Sequence, residues 1–145
     1  MPDGNESIPA YARAFLDMPY VLTLEDKPGY VHARVTGSNS FENVLGYTQE
    51  IHQACVHSGQ RAVLIEENLA GPSISMSAIF QIVAERSPQA LGVLKRIAYV
   101  DVNPGHDLTR MEFAEDVAVN RGVNMRLFAT VGEAERWLQA ELPES

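Results

Sequence analysis

Carboxylates gather at three points of this sequence beside side chains that donate or accept protons: Glu66-Glu67-Asn68, Asp101 with Asn103, and His106 with Asp107. Such a set can hold a hard divalent cation through oxygen and imidazole ligands, or pass a proton between an acid and a base. A hydrolytic enzyme using Glu66, Glu67, Asp101, His106 or Asp107 with a metal is therefore one reading. Their spacing meets no established metal motif, however, and alternate residues of a strand face opposite ways. Asp107 also stands where a helix N-cap is expected. No metal, cofactor or catalytic residue is assigned on these grounds. Glu66, Glu67, Asn68, Asp101, Asn103 and His106 are expected instead to line a ligand crevice.

Three further sets invite chemistry. Thr48, His52 and Cys55 lie on one helical stripe, where a thiol beside an imidazole suggests a nucleophile. No third group orients the ring, so a buried thiol next to a hydrogen-bonded core histidine is the expectation. Ser73, Ser75 and Ser77 cluster at the start of a helix, where one of them is expected to act as the cap. His32 and Arg34 share one face of a hairpin strand, a hint of anion contact on what is expected to be a solvated edge.

The elements that must position these residues follow from periodicity and punctuation. Residues 20–25 and 30–36 are rich in β-branched and aromatic side chains, and Asp26-Lys27-Pro28-Gly29 between them is turn chemistry, which makes a hairpin. Asn39 with Glu42 forms a capping-box pattern before a helical stripe that ends at Gly59. Ala62-Val63-Leu64-Ile65 is short, continuous and apolar, as a central strand covered on both faces should be. A second helix carries Ile74, Ala78, Ile79, Ile82 and Val83 and is expected to end before Pro88. Residues 97–102 form the next strand. A helix from Asp107 or Thr109 to Gly122, a strand at 125–129 and a last helix capped by Thr130 and Glu133 complete the chain. The order β-β-α-β-α-β-α-β-α predicts one α/β layered domain over residues 20–142, with a mostly parallel, mixed five-stranded sheet and an N-terminal hairpin. Residues 1–19 read as a polar lead and a short helix whose Tyr11, Phe15 and Leu16 form an apolar patch, for which a homodimer contact is expected.

Composition narrows the partners. The 145 residues carry 19 acidic against 11 basic side chains, a net charge of −8, and the basic ones are scattered. Nucleic acid and anionic membrane surfaces are therefore not expected to bind. A single cysteine, Cys55, allows no internal disulfide, and neither a secretory signal nor a membrane-length apolar run is visible, so a cytoplasmic location is expected.

The element order, together with the closing Phe128-x-x-x-x-Glu133-Ala134-x-x-Trp137-Leu138, resembles the SpoIIAA-like group of the STAS family, the sulfate-transporter and anti-sigma-factor-antagonist domains. The resemblance implies a non-enzymatic regulatory module that binds a protein partner and is switched by phosphorylation of a serine in an Asp-Ser-Ser-Gly turn opening the second helix. Here that turn falls on Ser75-Met76-Ser77-Ala78. Ser77 coincides with the pattern while its Asp and Gly are absent, so Ser77, with Ser75 beside it, is the regulatory candidate. Carriage of a lipid or small apolar ligand is a further reading, by analogy of domain shape.

Overall fold

The computed structural model describes residues 20–140; the short helix expected within residues 1–19 lies outside them. The chain runs β1 (Tyr20–Lys27), β2 (Tyr30–Ser38), α1 (Phe41–Ser58), β3 (Ala62–Ala70), α2 (Met76–Val93), β4 (Arg96–Asp101), α3 (Leu108–Asn120), β5 (Met125–Leu127) and α4 (Val131–Gln139). The five strands lie side by side in chain order. β1 and β2 pair antiparallel, and every later pair is parallel. The predicted mixed α/β sheet with its N-terminal hairpin is what the chain forms. Gly29, at φ 86°, takes the left-handed corner beside Pro28, which lets Lys27 face Tyr30 directly.

β3 shows why its first residues are apolar without alternation. Val63 and Ile65 enter a core shared with α1, α2 and α3, whereas Ala62 and Leu64 enter a second core beneath α4. Burying a side chain the size of Val63, Leu64 or Ile65 contributes about 1.5–3 kcal/mol. The closing motif works on that second face: Ala134 and Leu138 are buried there, Phe128 and Trp137 pack against them, and Thr130 caps α4 by accepting from the Glu133 N–H. Buried Arg96 lies over the Trp137 ring and donates to the Trp137 and Ala140 carbonyls, which closes the end of the same helix.

Several expectations need correction. β3 does not stop at Ile65 but continues to Ala70, because Arg34–Ser38 of β2 and Val100–Asp101 of β4 stay in register beside it. The N-cap of α1 is Ser40, accepting from the Asn43 N–H, rather than Asn39. α2 runs through Pro88 to Val93. Pro88 gives no N–H to the preceding turn, yet Ala90, Val93 and Leu94 beyond it pack against the main core, and that burial outweighs the missing bond. β5 is shorter than expected, ending at Leu127. His32 is buried rather than on a solvated edge, since β2 is flanked by β1 and β3.

Candidate functional site: a polar cluster at the end of an apolar cavity

Strand alternation sorts the expected crevice residues. Glu67 projects, with Ile65 and Leu69, toward the helices α1–α3, and only 3% of its surface is exposed. Glu66 lies on the opposite face, where its Oε1 meets His32 Nε2 at 2.8 Å and Arg34 Nε at 3.5 Å. The anion that His32 and Arg34 contact is thus an internal carboxylate. Asn68 is exposed, and by the same alternation it shares the Glu66 face. The structure thus brings Glu67, Asp101 and His106 together on the helix side, with Asn103 bonded beside them, and places Glu66 and Asn68 on the opposite face.

Around Glu67 the structure adds two residues that sequence reasoning missed. Tyr47 of α1, fully buried, donates its phenolic hydrogen to Glu67 Oε2, and the Tyr47 and Tyr99 hydroxyls stand 3.4 Å apart. Burial pushes both phenols well above their ordinary value, helped by the Glu67 charge, and burial likewise raises Glu67. The buried row of α1 is Asn43, Tyr47, Ile51 and Cys55, spaced by four. Cys55 lies on it as expected, whereas Thr48 and His52 of the same expected stripe stand beside it and are only partly buried. The local signal for Tyr47 is its spacing of four and eight from Ile51 and Cys55.

Beyond Glu67, the β4–α3 loop is fastened to the end of β3. The Val102 N–H donates to the Glu67 carbonyl at 2.9 Å, and Asn103 Nδ2 to the Leu69 carbonyl at 2.8 Å. His106 meets Asp101 Oδ2 through Nδ1 at 2.7 Å and the Gly71 carbonyl through Nε2 at 2.8 Å. A carbonyl only accepts, so Nε2 carries a hydrogen; a hydrogen on Nδ1 as well makes the ring an imidazolium facing a carboxylate. Burial pulls His106 downward, but the Asp101 hydrogen bond, the Gly71 carbonyl and the nearby acidic charges outweigh it and hold the ring above its usual value. Asp101 Oδ1 accepts from the Asn103 N–H at 3.0 Å, so both carboxylate oxygens are engaged too.

Ligand atoms of Glu67, Asp101 and His106 all lie within 4.8 Å of one another, the one such grouping among the described residues. These three would hold a cation only if His106 gave up Asp101 or Gly71. What the cluster does as it stands is tie two loops together and place a buried carboxyl–phenol pair at one end of a cavity of about 150 Å³. That cavity runs between the sheet and α1–α3 and is lined mainly by aliphatic side chains, among them Ile65, Ile79, Ile82 and Val83. Arg86 and Arg110, also unforeseen, line it while donating to the Leu45 and Ile74 carbonyls of neighbouring segments.

The remaining expected residues settle simply. Asp107 caps α3 by accepting from the Thr109 N–H. Ser75 caps α2 by accepting from the Ala78 N–H, and Ser77 is exposed in its first turn. Cys55 is fully buried, and burial raises its thiol to about 11, which removes it as a nucleophile near neutral pH. His52 is not the hydrogen-bonded core histidine expected, for its buried Nδ1 has no partner.

The strand order, the hairpin and the helices packed on both faces are the fold of an anti-sigma factor antagonist, as the sequence resemblance implied. The crystal structure of such an antagonist from Mycobacterium paratuberculosis matches this chain with a TM-score of 0.56 at 17% identity, over 83% of this chain and 95% of that one. No protein-family model matches the sequence, and no curated protein matches it significantly.

Proposed function

We propose that this protein is a non-enzymatic regulatory module of the cytoplasm that acts by docking a protein partner of the anti-sigma factor type. The fold shared with an anti-sigma factor antagonist carries the reading. The surface we assign to docking is the outer side of α2 and the start of α3. Met76, Phe80, Leu91 and Leu108 are large apolar residues exposed there, with Arg121 over the Phe80 ring. Exposed Ser77 sits in the first turn of α2, where free N–H groups and the positive end of the helix dipole would stabilise a phosphate. Modification at that point would change the charge of the docking surface itself. Ser75 is already committed as the cap.

Titration calorimetry of the full chain against the anti-sigma factors of the same genome tests this. One of them is expected to bind, Phe80→Asp to weaken binding at least tenfold, and Ser77→Asp to weaken it where Ser77→Ala does not. Failure of every anti-sigma factor to bind, or equal binding by all variants, would retire the reading.

One observation favours a second property of the same module. A partly open, mainly apolar space of about 150 Å³ is large enough for a molecule the size of benzene. We propose that it is a small-ligand site lying behind the docking surface.

A further inference from the structure

Two residues lining the cavity, His52 and Gln89, each hold a buried polar atom without a partner, and half-buried Arg86 on the same lining has donors to spare. Arg86 donates from Nε to Thr48 Oγ1 at 3.1 Å and from Nη2 to the Leu45 carbonyl at 2.7 Å, which leaves both Nη1 hydrogens and one Nη2 hydrogen unassigned. Its guanidinium makes no ion pair among the described residues, although the chain as a whole is acidic. His52 Nδ1 and Gln89 Oε1 are buried and unpartnered, and both residues line the same cavity. A buried polar atom without a hydrogen bond costs about 1–3 kcal/mol, so two of them on residues that line one space favour an occupant that pairs with them.

Helix geometry brings the three together. Gln89 follows Arg86 by three residues on α2, and His52 follows Thr48 by four on α1, so each pair shares a helix face. The Arg86–Thr48 hydrogen bond joins those faces. Arg86 also lies about 15 Å along the α2 axis from Met76. The acidic groups stand near the start of that helix, at the carboxyl ends of β3 and β4, and there Glu67 is matched by Tyr47 and Asp101 by His106. The cavity is thus basic and hydrogen-bonding at the α1–α2 seam and aliphatic between the two ends.

We infer that the cavity binds a small amphipathic carboxylate, its apolar body the size of one ring or a short chain and its head at Arg86, His52 and Gln89. A carboxylate offers two oxygens that accept only. They suit the guanidinium N–H groups, an Nδ1-protonated His52, and a Gln89 amide turned so that its nitrogen donates. A cationic head would face Arg86 at close range. A diacyl lipid is several times too large for about 150 Å³. The inference rests on the cavity being a ligand site and is independent of partner docking.

The test uses the full chain at pH 7 with hexanoate, 1-hexanol and hexylamine as matched probes, followed by calorimetry and thermal shift. Hexanoate is expected to bind one to one and raise Tm, and hexylamine to do neither. Arg86→Gln should weaken hexanoate at least tenfold while changing 1-hexanol less than twofold. Because Arg86 also ties α1 to α2, Arg86→Lys and Gln89→Leu serve as companions: the first should restore most of the hexanoate affinity, the second lower it with 1-hexanol unaffected. Equal binding of amine and carboxylate, or equal loss of alcohol and carboxylate in the variants, would overturn the head-group assignment and leave the ligand site standing. No binding by any probe would overturn both, while anti-sigma factor binding would still be judged by its own titration.

Discussion

Glu67 carries an expense that its neighbours only partly offset: a carboxyl group out of water, with Tyr47 donating to it and Asp101 nearby. Its raised pKa means that the folded protein holds a proton the unfolded chain has already released. Stability therefore falls as pH rises from the ordinary value of 4.5 through the folded one. Glu67→Gln keeps an acceptor for Tyr47 without the charge. It should be nearly neutral at pH 4 and stabilising by about 1 kcal/mol at pH 8 in urea titrations. His106 has the same sign. Its stabilisation is complete below 6.5 and is lost as pH climbs through its raised folded value, so His106→Gln should cost about 1–3 kcal/mol at pH 5.5 and much less at pH 9. Because both ring nitrogens are committed, added Zn²⁺ or Mn²⁺ should leave the thermal midpoint unmoved at pH 7; a saturable rise would revive the metal reading. Glu67, Asp101, Asn103 and His106 were legible as a group because the ends of parallel strands collect polar residues. The meeting of Tyr47 with Tyr99 was not, since helix spacing can mark Tyr47 as buried but no local spacing reveals that a helix and a strand 52 residues apart bring two hydroxyls together.

Helix α2 shows best what local sequence does and does not decide. Its first turn follows the capping rules, with Ser75 accepting from Ala78, yet its end ignores the proline rule. Ser87 donates its hydroxyl to the Val83 carbonyl at 2.6 Å just before Pro88, and the helix then runs on to a last turn held by core contacts. Pro88→Ala should restore the N–H to the Ala84 carbonyl and stabilise the protein by about 1–3 kcal/mol in denaturant titrations; an unchanged midpoint would mean that the surrounding packing has absorbed the defect. β3 tells a similar story, its apolar opening plain in the sequence and its polar continuation not. Glu66 and Glu67 stay in strand because each finds partners from other elements, His32 and Arg34 for one and Tyr47 for the other. Residues whose structure depends on such distant partners read locally as loop.

At the scale of the molecule, element order alone sufficed for the five-stranded sheet, because a crossover helix between neighbouring strands leaves few arrangements open. The two faces are unequal, three helices and the cavity on one and α4 on the other, and that asymmetry puts the exposed apolar side chains of α2 and α3 on the cavity side. Among the described residues no helix is long and apolar enough to cross a membrane. If the module works by docking, the partner must cover that surface and leave the far side of β1 and β2 free. The most direct measurement is an amide NMR titration of the full chain with the anti-sigma factors of the same genome, the partners proposed for it. Shifts and broadening are predicted to concentrate on Met76, Ser77, Phe80 and Leu108, whereas perturbations centred on Thr23, Arg34 and Asn68, across the opposite face, would contradict the account.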